Sequence, residues 1–253
     1  MHLSGTTWTD AADAETDLAL LPVGSTEQHG PHAPLDTDTR AAEAVASAGA
    51  DAFDGAVVVA PAIPVGVAEE HRHFAGTLWV REDTFREVVR ETVASLAAAG
   101  WDRVVVVNGH GGNTAPLREV CGRLTRDGTA YAVPFTWFDA VDPAEIDALP
   151  PDAEMGHGGA VETSLLRHLA PETVREDRFV AASDDGADGW GEWQSGTNLA
   201  YDTAEFSASG AVGDPGESSA AAGEQLLRAA ADALADLLAA VEARDVSGSG
   251  REG

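Results

Sequence analysis

One short stretch of the sequence, LPVGSTEQHGPHAPLDTDT at 21–39, carries several side chains of the kinds that bind metal ions. Glu27 and His29 are two residues apart, so an extended backbone would direct both side chains to the same side. Asp38 follows after a turn that two prolines stiffen. Carboxylate and imidazole ligands together suit zinc, manganese or iron. The stretch therefore predicts that Glu27, His29 and Asp38 are metal ligands.

The histidines of the chain concentrate after predicted strands. Three of the four apolar segments that we interpret as strands are followed by a histidine-bearing loop. Six of the eight histidines lie in these loops or in the segment EMGHGGAVETS, namely His29, His32, His71, His73, His110 and His157. Because the carboxyl ends of parallel strands meet at one edge of a sheet, we expect one shared site there. His110, at the end of the strand that contains VVVV, is the fourth predicted ligand.

Taken singly, each of these residues has an ordinary structural interpretation. Glu27 or Asp38 could cap a helix, and His29 or His110 could be a buried histidine with internal hydrogen bonds. The segment NGHGGN could also hold a phosphate at a helix N-terminus, but it lacks the lysine of a P-loop. Their convergence on one edge of one sheet favours the shared metal site.

The elements that must position these residues alternate between strand and helix. Continuous Val, Ile and Leu is typical of parallel strands buried on both faces, and such segments lie at 17–23, 56–65, 102–108 and 129–135. Apolar residues at helical spacing predict helices at 39–48, 82–99, 115–126, 160–169 and 217–244. We therefore expect a three-layer α/β/α fold with a mostly parallel central sheet. A single domain would span 1–244, followed by a flexible tail at 245–253.

One acidic, glycine-rich segment, 183–219, breaks this alternation. It nevertheless holds Trp190, Trp193, Tyr201 and Phe206. Aromatic residues in such a segment predict an ordered loop that packs on the site or on another subunit.

The composition limits the choice of partner. A formal net charge of −28 and a pI near 4.3 argue against nucleic acid and anionic membranes and leave a small-molecule substrate. All 15 basic residues are arginine, against 43 acidic residues, a balance that suits concentrated salt and an archaeal halophile. A G+C-rich genome would produce a similar bias. The single cysteine, Cys121, excludes an intrachain disulfide, and the N-terminal residues lack an apolar targeting segment, so we expect a cytoplasmic protein.

Five motifs follow one another along most of the chain: LPVGSTEQHGPHAPLDTD, EEHRHFAGT, VVVVNGHGGN, GHGGAVETS and GAVGDP. In this order they resemble the creatininase family of metal-dependent amidohydrolases. The resemblance implies a hexamer or other homo-oligomer and two divalent metal ions per subunit, zinc with iron or manganese. It implies that Glu27 and His110 bind one ion, that His29 binds the other, and that Asp38 bridges them. A hydroxide between the ions would attack the amide carbon, and His157 matches the proton donor.

Two glycines depart from the family pattern. Creatininases carry an aromatic residue and a glutamate ligand where this chain has Gly111 and Gly112, so the second ion needs another ligand. Glu162 is the first candidate, although it could instead be a carboxylate that stabilises a helix N-terminus. Glu154 is the second, and it is also a candidate catalytic residue. The pocket loses a side chain that would close over a small ring, which favours a substrate larger than creatinine.

The branch of the family with GHGGN includes archaeal deformylases that release formate from a formylaminopyrimidine ribonucleotide in riboflavin and F420 synthesis. This deformylase is the leading hypothesis from the sequence. Its substrate phosphate would need a donor, for which Arg72, Arg40 and the backbone amides of Gly111 and Gly112 are candidates. The alternatives are a hydrolase of creatinine or another cyclic amide, the peptidase of a peptide-cofactor pathway, and a metal-binding oligomeric scaffold without turnover.

Overall fold

A parallel four-stranded sheet forms the centre of the protein. The structure is a computed structural model, and it describes residues 1–245. The strands are β1 (Leu18–Val23), β2 (Val58–Val59), β3 (Arg103–Asn108) and β4 (Tyr131–Thr136). They lie in the order β2-β1-β3-β4, and every pairing is parallel. All of β1 and all of β3 except Arg103 is buried, which is why these segments are continuously apolar.

Helices cover both faces of this sheet. Within the described residues the α-helices are α1 (Trp8–Ala12), α2 (Thr37–Ala52), α3 (Glu82–Ala98), α4 (Thr114–Arg126), α5 (Ala160–Leu169), α6 (Phe179–Asp184) and α7 (Ala220–Glu242). Successive strand residues point to opposite faces. Leu20 and Val105 therefore pack with α2, α5 and α7, whereas Leu21 and Val104 pack with α3 and α4. The three-layer α/β/α arrangement expected from the sequence is confirmed.

Several element boundaries differ from the sequence-based expectation, among them those of β2, α2 and α7, which was predicted at 217–244 and spans Ala220–Glu242. The predicted strand at 56–65 is a regular strand only at Val58–Val59, with a further isolated bridge between Ile63 and Val23, because Pro61 and Pro64 have no N–H to donate. Helix α2 begins at Thr37, two residues before the predicted start, so Asp38 lies inside its first turn. Apart from Asp245, the tail predicted at 245–253 lies outside the described residues. None of the helices within 1–245 has both the length and the apolar character that a membrane span requires.

Glycines bring the first turn of α2 against the ends of two strands. A Cβ atom at Gly24, just after β1, would lie 2.5 Å from the Cα of Thr39. A Cβ atom at Gly109, just after β3, would lie 2.1 Å from the carbonyl oxygen of Asp38. Only glycine permits approaches this close. As a result, Asp38 is held between the loops that follow β1 and β3.

Candidate metal centre

The four ligands predicted from the sequence meet at one point beside the carboxyl ends of β1 and β3. Glu27 and His29 lie in the loop after β1, Asp38 in the first turn of α2, and His110 two residues after β3. All four side chains are buried. The loop after β1 is held by the Glu27 N–H, which donates to the carbonyl of Leu35 at 2.9 Å.

Asp38 lies between the two histidines. Its Oδ1 is 3.0 Å from Nε2 of His29, and its Oδ2 is 3.3 Å from Nδ1 of His110. The same Nδ1 of His110 is 3.1 Å from Oε1 of Glu27. One carboxylate thus faces both imidazoles, as a bridging ligand between two cations would.

Each histidine is turned so that its lone pair can face the cluster. Nδ1 of His29 donates to the carbonyl of Glu27 at 3.2 Å, and Nε2 of His110 donates to the carbonyl of Val67 at 2.6 Å. A backbone carbonyl on the far nitrogen is the usual second partner of a metal-binding histidine. The nitrogens that face Asp38 are therefore the ones free to bind a cation.

Buried oxygens without hydrogen bonds support the same conclusion. Neither carboxylate oxygen of Glu27, nor Oδ2 of Asp38, accepts a hydrogen bond of good geometry, although His110 is close to both residues. Leaving buried charged oxygens unsatisfied is costly unless a cation neutralises them. One candidate donor set is Glu27, Asp38 and His110, whose ligand atoms all lie within 4.8 Å of one another. Nitrogen and carboxylate donors of this kind fit zinc, manganese or iron.

Glu162, from the first turn of α5, is close to His29. Its Oε1 lies 3.8 Å from Nε2 of His29, and its Oε2 accepts a hydrogen bond from the Gly158 N–H at 2.7 Å. A second candidate donor set comprises His29, His157 and Glu162. Glu154, the other candidate for this position, is exposed and lines a neighbouring cavity instead. The structure thus places Glu162, and not Glu154, where a second cation would need a ligand.

The electrostatics of the cluster keep protons on its histidines. Burial raises the pKa of Glu27 to about 7, against the lowering effect of His110. Burial alone would lower the pKa of His29, but Asp38 and Glu162 raise it well above its ordinary value. The pKa of His110 is likewise raised well above its ordinary value, because Glu27 and Asp38 outweigh burial. Burial would raise the pKa of Asp38, but His29 and His110 bring it below its ordinary value. Without a metal ion, protons supply the positive charge that the carboxylates require.

His157 closes one side of the cluster. Its ring centroid lies 4.2 Å from that of His29, and its Nδ1 lies 3.8 Å from Oε1 of Glu27. Its backbone exchanges two hydrogen bonds with Val212, at 3.0 and 2.8 Å. Burial, followed by the charge on His29, lowers the pKa of His157 to about 4. The ring is therefore neutral at pH 7.

Two further buried residues belong to the site but were not assigned a role from the sequence. His71 stacks on His157, with ring centroids 4.4 Å apart, and its Nε2 lies 3.4 Å from Oε1 of Glu27. The side-chain amide of Gln28 contacts both rings. The sequence placed His71 among the loop histidines of the shared site without giving it a role, whereas no pattern in the sequence distinguishes Gln28 from a neutral spacer.

The cluster opens into a cavity of about 330 Å³. Its walls include Gly111, Gly112, Glu70 and Trp190. Trp190 comes from the loop predicted to pack on the site, and its ring meets those of His71 and His157 edge to face. A second cavity, of about 480 Å³, shares Trp190 as a wall together with Met155 and Gly156. All the charged residues that line the second cavity are acidic: Asp152, Glu154, Asp188, Asp214 and Glu217.

The arginines predicted to meet a substrate phosphate are paired elsewhere. Arg72 is bound to Asp202 at 2.6 Å, and Arg40 to Asp36 at 2.8 Å. Within residues 1–245, no arginine lines the cavity over the cluster. The two glycines do line it, as the sequence suggested.

His32 and His73, from the same loops, are outside the cluster. Nε2 of His32 contacts the hydroxyl of Thr163 at 3.0 Å, and burial, followed by the charge on His29, lowers its pKa to about 4. His73 is exposed and contacts Asp202 at 3.3 Å.

Comparisons with known proteins agree with this arrangement. The sequence pattern described as "Creatininase: Creatinine amidohydrolase" matches residues 4–238. The mycofactocin precursor peptide peptidase of Mycolicibacterium smegmatis is 35% identical over 238 residues, which are 92% of this chain and 88% of that protein.

Solved structures give the same result. A crystal structure of creatinine amidohydrolase (creatininase) superposes with a TM-score of 0.83 and 26% identity, over 96% of this chain and 98% of that chain. A structure described as "Creatininase Mn" gives a TM-score of 0.81 and 26% identity, over 96% and 99%. With the family pattern matching most of its length and a relative 35% identical to it, the chain belongs to the creatininase family of amidohydrolases.

Proposed function

We propose that the protein is a dinuclear metal-dependent hydrolase that cleaves an amide bond of a small peptide. The observation that carries the proposal is the buried Asp38 carboxylate, whose two oxygens face His29 and His110 at the floor of a cavity. One cation would be held by Glu27, Asp38 and His110. The other would be held by His29, Asp38 and Glu162.

The side chains around the cluster suit amide hydrolysis. Bound divalent cations supply Lewis acidity, which activates a water molecule and polarises the amide carbonyl. His157 lines the same cavity and is neutral at pH 7, so it can take a proton from the attacking water and give it to the leaving nitrogen. Glu27 and Asp38 are less than 2% exposed, which limits access of bulk water to the carboxylates. Trp190, over His71 and His157, covers part of the opening.

Two observations favour a peptide over creatinine. The relative from Mycolicibacterium smegmatis, at 35% identity over most of both chains, is a precursor peptide peptidase. In addition, the cavity over the cluster shares its Trp190 wall with the larger second cavity, so a substrate could extend beyond the scissile bond. Gly111 and Gly112 leave another part of the wall of the cavity over the cluster without side chains. A peptide uses such an extended groove, whereas a small ring does not.

The formylaminopyrimidine ribonucleotide deformylase is our second candidate. The backbone at Gly111 and Gly112, on the cavity wall, supports it, since main-chain amides can bind phosphate. The charges oppose it. Arg72 and Arg40 are already paired, and Glu70 adds a carboxylate to the wall. A dianionic phosphate would therefore meet mainly negative charge.

Parallel assays with three substrates distinguish the candidates. The protein, loaded with zinc or manganese, is incubated separately with the mycofactocin precursor peptide, creatinine and the formylaminopyrimidine ribonucleotide, and products are identified by mass spectrometry. We expect cleavage of the peptide only. Release of formate from the nucleotide, or of creatine from creatinine, would contradict our proposal and show that the protein has that activity instead.

A variant separates an enzyme from a metal-binding scaffold. His157→Gln should keep two metal ions per chain but lose activity by about 100-fold or more, because it lacks the proton-transfer group. A protein that binds two metal ions yet turns over none of the three substrates would support the scaffold interpretation.

A further inference from the structure

The backbone carbonyl of Gln28 defines the protonation of His157. Nε2 of His157 lies 2.6 Å from this oxygen. A carbonyl oxygen can only accept, so Nε2 must carry the hydrogen. In the neutral ring, Nδ1 then has a free lone pair, and it is the nitrogen that faces Glu27 at 3.8 Å.

The orientation of the Gln28 side-chain amide is also determined by its neighbours. Its Oε1 accepts from the Gly30 N–H at 2.8 Å, and its Nε2 lies 3.0 Å from the carbonyl oxygen of Gly210. A flipped amide would place two donors together at Gly30 and two acceptors together at Gly210. The NH₂ group therefore occupies the Nε2 position, and one of its two hydrogens is directed to Gly210.

The second hydrogen of this amide has one possible acceptor. Nε2 of Gln28 is 2.8 Å from Nδ1 of His71 and 2.9 Å from Nε2 of His157. The nitrogen of His157 already carries a hydrogen, so only His71 can accept. The Thr203 hydroxyl, 2.9 Å from the same Nδ1, can donate to it as well. Nδ1 of His71 is thus an acceptor, and the ring hydrogen is on Nε2, which faces Glu27.

We propose that Gln28 is a positioning residue that fixes the tautomers of both His71 and His157. Its side chain turns the Nε2–H of His71 towards Glu27, 3.4 Å from Oε1, and its backbone carbonyl leaves Nδ1 of His157 open towards the cluster. His71 consequently orients the Glu27 carboxylate and does not bind metal. This excludes the third candidate donor set, which comprises Glu27, His71 and His157.

The surroundings of His71 and His157 keep both rings neutral. Both are buried and stacked on each other at an interplanar angle of 17°. Burial lowers the pKa of each, so each ring carries one hydrogen at pH 7. The hydrogen-bond partners alone determine the two tautomers, whichever substrate the site takes.

Nitrogen NMR tests this assignment directly. The protein is labelled with ¹⁵N-histidine, and long-range ¹H–¹⁵N correlations are recorded for the metal-free and zinc-loaded forms, with His71→Gln and His157→Gln used for assignment. We expect both rings to show the Nε2–H tautomer in the metal-free form, and His71 to keep it with zinc bound. A hydrogen on Nδ1 of His71, or zinc on its Nε2, would overturn the proposal.

Substitution at Gln28 then tests its control of His71. In Gln28→Glu the side chain can only accept, so the hydrogen of His71 should move to Nδ1 while His157, held by the backbone carbonyl, keeps its pattern. In Gln28→Met, His71 should show a mixture of tautomers. An unchanged, single Nε2–H pattern for His71 in both variants would show that Gln28 does not control it.

Metal affinity supplies a second measurement that does not depend on activity. His71→Gln retains a side-chain N–H that can reach Glu27, whereas His71→Leu does not. By analogy with other residues that orient metal ligands, the Leu variant should lose about 10–100-fold in affinity for zinc, and the Gln variant much less. Equal losses in both variants would indicate that His71 is a ligand, which contradicts our assignment.

Discussion

The carboxylate of Glu162 lies 3.8 Å from Nε2 of His29, although the two residues come from opposite halves of the chain. Its other oxygen is held by the Gly158 N–H, which fixes the direction of the side chain. Creatininases are expected to carry a glutamate ligand at the position of Gly112. Glu162 brings a carboxylate to the same cluster, where we propose that it takes the place of that ligand.

Replacing Glu162 should remove one metal ion and leave the other. In Glu162→Gln the cation between His29 and Asp38 loses a charged ligand, whereas the donors Glu27 and His110 are unaffected. We expect the metal content to fall from two ions to about one per chain, measured by inductively coupled plasma mass spectrometry after gel filtration. The matched control is Glu154→Gln, an exposed glutamate from a neighbouring loop that should keep two ions. Two ions in Glu162→Gln would exclude Glu162 as a ligand.

The two glycines after His110 should respond differently to a methyl group. A Cβ atom at Gly112 would lie 2.1 Å from the carbonyl oxygen of Val67 and 2.5 Å from Nε2 of His110. It would therefore displace the carbonyl that orients this imidazole. A Cβ atom at Gly111 has nothing within 4 Å.

Gly112→Ala should therefore lower the free energy of unfolding by about 1–3 kcal/mol and weaken metal binding. Gly111→Ala should leave both unchanged. Chemical denaturation and a zinc-chelator competition would measure the two effects. Equal behaviour of the two variants would mean that the backbone at Gly112 can shift without disturbing His110.

Much of the fold and of the metal cluster could be predicted from local sequence signals. The apolar segments around Leu20 and Val105 marked strands buried on both faces, and ligand-type residues followed them at the same edge. Asp38 was predicted to return to that edge after a proline-rich turn. These features depend on short-range patterns and on one general rule about parallel sheets.

The rest of the site depends on contacts between distant segments. The sequence predicted that the loop of Trp190 packs on the site or on another subunit, but only the folded chain shows that its ring contacts His71 and His157. The contacts of the candidate arginines depend on distant segments in a similar way. Arg72 is adjacent to a site histidine in sequence, but its guanidinium forms an ion pair with Asp202, from the second half of the chain. Such pairings leave no periodic signal in a single sequence.

Metal binding should release protons, with a pH dependence that follows from the pKa shifts. The folded pKa of Glu27 is about 7, above its value of 4.5 in a model compound, so between these values the metal-free folded state holds a proton that the unfolded state has lost. This contribution stabilises the metal-free protein at low pH and is lost as the pH rises to about 7. A cation binds the deprotonated carboxylate and the unprotonated nitrogens of His29 and His110, so its affinity must increase over the same interval.

Calorimetry can measure this exchange. Titration of zinc into metal-free protein at pH 7, in buffers of different ionisation enthalpy, should show release of at least one proton per chain. The apparent affinity should fall as the pH decreases from 7 to 5. Glu27→Gln, which cannot hold this proton, provides the comparison and should bind zinc weakly. No proton release in the unsubstituted protein would contradict the protonated cluster described above.

Glu70 should select against negatively charged substrates. Its side chain lines the cavity over the cluster, and burial raises its pKa, against the lowering effect of His110. Glu70→Gln removes this negative charge with little change in shape. For a peptide with aspartate next to the scissile bond, we expect kcat/KM to increase about fivefold relative to the alanine peptide, equivalent to roughly 1 kcal/mol across a cavity of this size. The control is Glu91→Gln, at an exposed position of helix α3. It gives the same net charge as Glu70→Gln, but Glu91 lies outside the cavity, so the ratio should not change. A ratio that is the same in Glu70→Gln and Glu91→Gln would show that the carboxylate of Glu70 does not face the bound substrate.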